Sequence, residues 1–472
     1  MDAGAVRQGG GGVLGASGVM LSVMGFAMVA TFMTLIMTRR LTPLVALISV
    51  PIIFGLLAGF GSDLGPMMLD GISKIAPTGV LLMFAILYFG LMIDSGLFDP
   101  LVGLLLRLVH GDPVKIVVGT VVLATLVSLD GDGSTTYMIT VAALLPLYRR
   151  MGLNPLIMAC LVMLSSGLMN LTPWGGPTAR VATALQVEAA EIFLPMIPAM
   201  AITFVWLLAL AYFYGRHERR RLGSLRLGEE APVFGEGLAG DAGVDEIVDV
   251  GHGGFTVSSD IAARRPRLIW FNAVLTAALM ALLVLGVMPL PVLFMAAFCV
   301  AGVVNYPSIA EQKARVAAHS ANVMAVVSLI FAAGIFTGIL NGTGMVEHMS
   351  RSLLAVIPPA LGPYMAPITG LISLPMTFFV SNDAFYFGMA PILAETASHY
   401  GISAQAIGRA SLVGQPLHLL SPLVPSTYLL VSLAGVEFGE HQKFTARWAV
   451  ATSLVMLVAA MAVGAFPLVA GR

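Results

Sequence analysis

The stretch VSLDGDGSTTYM, residues 127–138, decides how this chain is read. It sets Asp130 and Asp132 two apart among Gly131 and Gly133, then supplies the hydroxyls of Ser134, Thr135 and Thr136. Its flanks, KIVVGTVVLATL before and MITVAALLPLY after, are apolar. Two carboxylates and a glycine-rich break inside a hydrophobic region need a reason, and the rest of the sequence supplies the frame for one.

The chain has 472 residues, 58% hydrophobic and 10% charged, with mean hydropathy +0.93. A soluble protein would carry about 25% charged residues. The composition therefore predicts an all-α polytopic membrane protein, and apolar runs long enough to span a bilayer recur along its length. The net charge of −1 suggests no nucleic-acid partner. Cys160 and Cys299 both lie in apolar segments, without metal-ligand company. The first nineteen residues are Gly-rich, lack a signal-peptide pattern and read as a flexible lead-in, with membrane sequence starting at Met20.

Apolar segments read at 20–38, 41–60, 76–93, 113–128 with 137–148, 154–187, 192–215, 267–287, 290–306, 319–340, 363–380 with 385–398, 404–435 and 444–468. That makes about ten transmembrane helices plus two paired segments. Residues 97–110 and 345–357 look shorter and amphipathic, as interfacial helices do. Residues 216–266 are hydrophilic and divide a first half, 20–215, from a second, 267–472.

Lys and Arg set the topology. With Arg39 and Arg40 cytoplasmic, eighteen bases fall inside, and only Arg7, Lys74, Arg351, Arg409 and Arg472 fall outside. Both termini are then external and the 216–266 loop is internal. The pattern survives downstream only if 113–148 and 363–398 each enter and leave on one side. Their arms also read as too short to cross, so both are expected to be re-entrant hairpins.

Sliding the sequence on itself by 249 residues places Tyr137 on Tyr386, Gly152 on Gly401, Pro173 on Pro422, Thr178 on Thr427 and Glu188 on Glu437. Thr172 meets Ser421, and Ser134 meets Asp383. Two five-span halves with one hairpin each, related by inversion, are an architecture of secondary transporters.

Irregular backbone at membrane depth is tolerated only where protein or a cavity surrounds it. Four such places are expected: the tips at 129–136 and 380–385, and the span breaks MNLTPWGGPT (169–178) and LLSPLVPST (419–427). Gly131, Gly133, Pro173, Gly175, Gly176, Pro177, Pro422 and Pro425 are the structural punctuation. Half-helix N-termini suit carboxylates, while unwound carbonyls and aspartates suit cations. The candidate anion ligands are Ser134, Thr135, Asn170, Thr172, Thr178, Ser381, Asn382, Ser421, Ser426 and Thr427. Asp130, Asp132 and Asp383 are candidates for proton or metal handling, since an intramembrane charge costs at least ~2.5–3.5 kcal/mol. Arg180, His418 and Asp94 are possible supporting residues.

GFAMVATFMTLIMTRRLTPLVALISVPIIFGLLAGFG, SLDGDGSTTYMITVAALLPLYRRMGLNP, SSGLMNLTPWGGPTAR and FFVSNDAFYFGMAPIL together resemble the bacterial citrate–divalent-metal/proton symporter family, within the ion transporter superfamily. The resemblance covers nearly the whole chain from Met20. It implies uptake of citrate complexed with Mg2+, Ca2+ or a related metal, driven by protons. The metal is then cargo and not a resident cofactor. It also implies a homodimer in a bacterial inner membrane, with scaffold and moving transport domains of the elevator type. Sodium-coupled relatives carry Ser-Asn-Thr tips. Here Asp132-Gly133-Ser134-Thr135 and Ser381-Asn382-Asp383 add carboxylates, which speaks against sodium coupling.

Three other readings compete. One is a metal-independent tricarboxylate or gluconate-type carrier of the same superfamily. Another is a channel lined by the hairpins. The last is an intramembrane aspartyl protease, but Leu129-Asp130-Gly131-Asp132 lacks the first glycine of Gly-x-Gly-Asp, and no Tyr-Asp accompanies Asp383. HExxH, GxSxG and Walker A patterns are absent from the sequence.

Overall fold

A computed structural model describes residues 18–109, 112–131, 133–222 and 263–470. The expectations for the lead-in at 1–17, for Asp132, for Arg7, Arg226 and Arg472 and for loop residues 223–262 lie outside the described residues.

The described chain is all helix. The first half runs α1 (Gly18–Met37), α2 (Pro43–Leu57), α3 (Leu64–Asp94), α4 (Asp99–Val109), α5 (Pro113–Val127), α6 (Gly133–Met151), α7 (Pro155–Met169), α8 (Gly176–Leu185), α9 (Ala189–Phe193) and α10 (Ile197–Leu222). The second runs α11 (Ile269–Val284), α12 (Leu290–Asn305), α13 (Ile309–Gly342), α14 (Met345–Val356), α15 (Met365–Phe379), a π-helical turn (Ala384–Met389), α16 (Ala390–Ser398), α17 (Ala404–Ser411), α18 (Gln415–His418), α19 (Pro425–Ala434) and α20 (Phe438–Ala462).

Local sequence fixes many of these starts. Thr42, Asp112 and Asn154 each cap a helix whose first residue is proline, at Pro43, Pro113 and Pro155. Their side chains accept from Val45 N, Val114 N and Leu156 N, satisfying donors that the first turn leaves open.

Two helix groups form. In one, α3 lies antiparallel along α13, with α2 and α12 beside them. The close approach is made by glycine: a Cβ at Gly71 would sit 2.1 Å from the Gly334 carbonyl oxygen, and one at Gly338 would sit 2.4 Å from that of Met67. Small residues one turn apart are how apolar helices reach such contact. In the other group, α5 and α6 form a helical hairpin against α7, α10 and α19, and α15 packs on α17, α18 and α20. Helix α7 is buried on every face from Ile157 to Leu168, as a central helix of a bundle must be.

Seven helices among the described residues are long and apolar enough to cross a membrane, and four more are apolar but shorter. The sequence expectation of about ten spans differs for identifiable reasons. Segments 154–187 and 404–435 are interrupted, and α2 and α12 reach only 15 and 16 residues. Helices α3 and α13 begin well before the expected 76 and 319, because their polar first turns stay helical; Lys74 and Asp70 pair at 2.8 Å along one face. The expectation that hairpin arms are too short fails for the first hairpin. Pro113–Asp130 is 18 residues and Gly133–Met151 is 19, so length does not exclude a crossing, and the pairing of α5 with α6 identifies the hairpin instead.

Candidate functional site

The four expected irregular places are all present. The first tip is the 3-10 turn Ser128–Asp130 followed by Gly131 at φ 77°, a left-handed conformation that glycine adopts without strain. The second is extended at Val380, and Ser381 caps the arm that follows by accepting from Ala384 N at 3.2 Å. Backbone between α7 and α8 is non-helical over 170–175, and between α18 and α19 over 419–424. Gly175 is indispensable in the first break, because a Cβ there would lie 2.2 Å from the Asn170 carbonyl oxygen.

The breaks hold the tips. In the first half, Trp174 Nε1 donates to the Leu129 carbonyl at 2.8 Å; in the second, Ser421 Oγ donates to the Phe378 carbonyl at 2.6 Å. Leu129 and Phe378 are 249 residues apart. Each break is also closed on itself: Thr178 Oγ1 donates to the Asn170 carbonyl at 3.4 Å, and Thr427 Oγ1 to that of Leu419. Both donors and both acceptors are again 249 apart. The hydroxyls of Thr178, Thr427 and Ser421, expected as anion ligands, thus fasten backbone.

The tips and breaks adjoin one another. A Cβ at Gly133 would approach Ser166 Oγ at 3.5 Å and Ser426 Oγ at 3.6 Å, bringing the first tip to the start of α19. A Cβ at Gly167 would meet the Pro416 Cα at 2.9 Å, setting the end of α7 on α18. Arg180 Nε donates to Asp383 Oδ1 at 2.5 Å, joining the helix after the first break to the second tip. The starts of α6, of α8, of α19 and of the second hairpin's returning arm are therefore brought together, and each is the positive end of a helix dipole.

Ser134 and Thr135 lie in the first turn of α6, and Asn170 and Thr172 in the first break. Asn382 accepts from Gln415 Nε2 at 3.2 Å, which also donates to Tyr386 OH at 2.7 Å. Gln415 Oε1 and Thr172 Oγ1 are buried with no hydrogen-bond partner among the described residues. His418 Nδ1 donates to the Thr377 carbonyl at 2.6 Å. Asp383 is paired with Arg180, which the sequence offered as a supporting residue without saying which acid it meets; 203 residues away, it reaches Asp383 only through the fold. Asp94 goes elsewhere: its Oδ2 takes Arg315 Nη1 at 3.2 Å and His319 Nε2 at 2.9 Å on α13.

Three residues escaped the sequence reading. Trp174 packs on Phe89 and Phe294 at ring distances of 5.4 and 4.9 Å, so the first tip rests through it on α3 and α12. An indole donor inside a Pro-Gly break was the available signal. Gln415 and Ser166 were polar residues inside apolar runs. The π-helical turn behind Asp383 is fully buried from Ala384 to Gly388 and is a feature enriched at functional sites.

A family model described as citrate transporter matches residues 16–414. A Bacillus subtilis protein named citrate transporter is 56% identical over 445 residues, 94% of this chain and 99% of that protein. Another from the same organism, named Mg(2+)/citrate complex secondary transporter, is 51% identical over 447 residues, again 94% and 99%. Among solved structures, the YdaH transporter of Alcanivorax borkumensis matches with TM-score 0.54 at 14% identity, over 94% of this chain and all of that one, a likeness of fold alone.

Proposed function

The chain belongs to the citrate transporter family, and from that premise we propose that it imports citrate as a complex with a divalent metal of the Mg2+ or Ca2+ type, in symport with protons. It is a membrane transporter and not an enzyme. The observation that carries the reading is the meeting of Arg180 with Asp383, a cation beside a carboxylate where helix N-termini converge. Chelation makes such a site sufficient. A divalent ion cancels two of citrate's three charges, so few bases are needed, and Arg180, on the helix after the first break, is the base that meets the second tip. The relative named for the Mg(2+)/citrate complex supports the same substrate.

In this mechanism N–H groups and hydroxyls at the tips and breaks bind citrate carboxylates. Asp130, Asp132 and Asp383 take protons or face the metal. The halves form an inverted repeat, 20–215 and 267–472, whose hairpins are re-entrant; the hydrogen bonds repeated at 249 residues support it. The α3–α13 group is the scaffold of a homodimer and the hairpin group is the moving domain. The protein sits in a bacterial plasma membrane with both termini outside.

Uptake of labelled citrate into proteoliposomes, crossed with a panel of metals and with an imposed proton gradient, tests the function. Uptake should rise with a divalent ion and with an inward proton gradient. Metal-independent uptake would favour the organic-anion carrier. Full proton-driven uptake by both Asp132→Asn and Asp383→Asn would remove the aspartate assignment.

A further inference from the structure

We infer that Arg180 and Asp383 form a dipolar clamp that selects metal-bound over free citrate, Arg180 taking a carboxylate and Asp383 the metal edge. This deepens the metal-citrate reading and rests on it. The geometry leaves each residue half engaged. Arg180 binds Asp383 through Nε, and its outer nitrogens, Nη1 and Nη2, make no hydrogen bond to the described residues. Those two nitrogens are the pair that grips a carboxylate bidentately. Asp383 uses Oδ1, while Oδ2 has no hydrogen bond among the described residues.

The surroundings fix the orientation. Side chains on a helix lean toward its N-terminus, so Arg180 runs back toward the break. Its Nη1 lies 2.7 Å from where a Cβ of Gly176 would be, so glycine at 176 makes the room. The side chains of Arg180 and Asp383 are 24% and 14% exposed, shielded enough for charge to matter and open enough for a ligand to reach. Neutral groups crowd the second tip: Gln415 holds Asn382, and Ser381 is used as a cap. Asp383 is thus the tip's own charge, and His418 lies within electrostatic reach of both members of the pair.

A metal-citrate complex carries an anionic and a cationic edge, which match Arg180 and Asp383 in turn. Free citrate has no cationic edge, so a carboxylate held on Arg180 leaves another facing Asp383. The clamp therefore discriminates by repulsion as well as attraction, as specific sites do.

Calorimetric binding to purified full-length carrier tests this, with Mg2+–citrate and citrate in metal-free buffer as probes. Asp383→Asn should reduce the preference for the complex at least tenfold, and Asp383→Glu should keep it. Arg180→Gln should weaken both forms at least tenfold with the preference unchanged, and Arg180→Lys should do the same to a lesser extent. If the pair serves only folding, both neutral variants weaken both forms alike and the Arg180→Gln/Asp383→Asn double variant recovers; that result overturns the clamp. A wild type that prefers the complex, with Asp383→Asn keeping the full preference, also overturns it. A wild type that binds both forms equally sinks the metal-citrate reading itself, and the clamp with it.

Discussion

The two hairpin tips are fastened at matching points but differ in chemistry. Equivalent carbonyls, Leu129 and Phe378, are held by their own breaks, and equivalent threonines, Thr178 and Thr427, close those breaks. The side chains then diverge. The first tip leans through Trp174 on an aromatic wall of Phe89 and Phe294. The second is joined by Arg180 and Asp383, whose counterparts 249 residues along are Leu429 and Ser134. The matching parts are mechanical; the arginine–aspartate pair is found, among the described residues of the two tips, at the second alone. Hydrogen bonds that recur 249 residues apart fasten the places where helices stop, and the side chains there decide what sits between them.

The comparison can be broken most severely at Trp174. Trp174→Ala should cost about 3–5 kcal/mol of stability, read as thermal unfolding in detergent, by emptying a buried aromatic site. Trp174→Phe keeps the ring but loses the donor to Leu129, and about 1 kcal/mol should be lost. Equal effects of the two would mean that the hydrogen bond, not the wall, holds the first tip.

Glycine sharpens the contrast next. Gly131 has φ 77° and a built Cβ 2.9 Å from Trp174 Cδ1, so Gly131→Ala should destabilise by about 1–2 kcal/mol or more. Its counterpart, Val380, has φ −117° and bears a side chain without strain. A matched pair of substitutions tests the shared fastening. Thr178→Val and Thr427→Val should each cost about 1–3 kcal/mol, matching one another to within about 0.5 kcal/mol, because each leaves one buried carbonyl without its donor. Clearly unequal losses would show that the two breaks are not mechanical equivalents.

Sequence punctuation located the breaks because Pro173 and Pro177, and Pro422 and Pro425, come in pairs among small polar residues, whereas the lone Pro51, Pro77, Pro146 and Pro375 stay inside helices. The first tip was equally legible, since Gly131 must supply a left-handed turn. What the sequence hid depends on distance through the fold. Arg180 and Asp383 lie 203 residues apart, and Asp94 finds Arg315 and His319 only because α3 and α13 run antiparallel. Hydropathy also misjudged helix length. It stops at charge, whereas α3 continues through Asp70 and Lys74, which pair with each other on its surface.

The most direct measurement counts cargo. Proteoliposomes bearing the full chain are given doubly labelled substrate, radioactive citrate with a radioactive divalent ion, under an inward proton gradient. The account predicts that metal and citrate accumulate together in a ratio of about one to one, and that citrate uptake collapses when a chelator removes the ion. Citrate accumulating at full rate while the metal stays outside would contradict it.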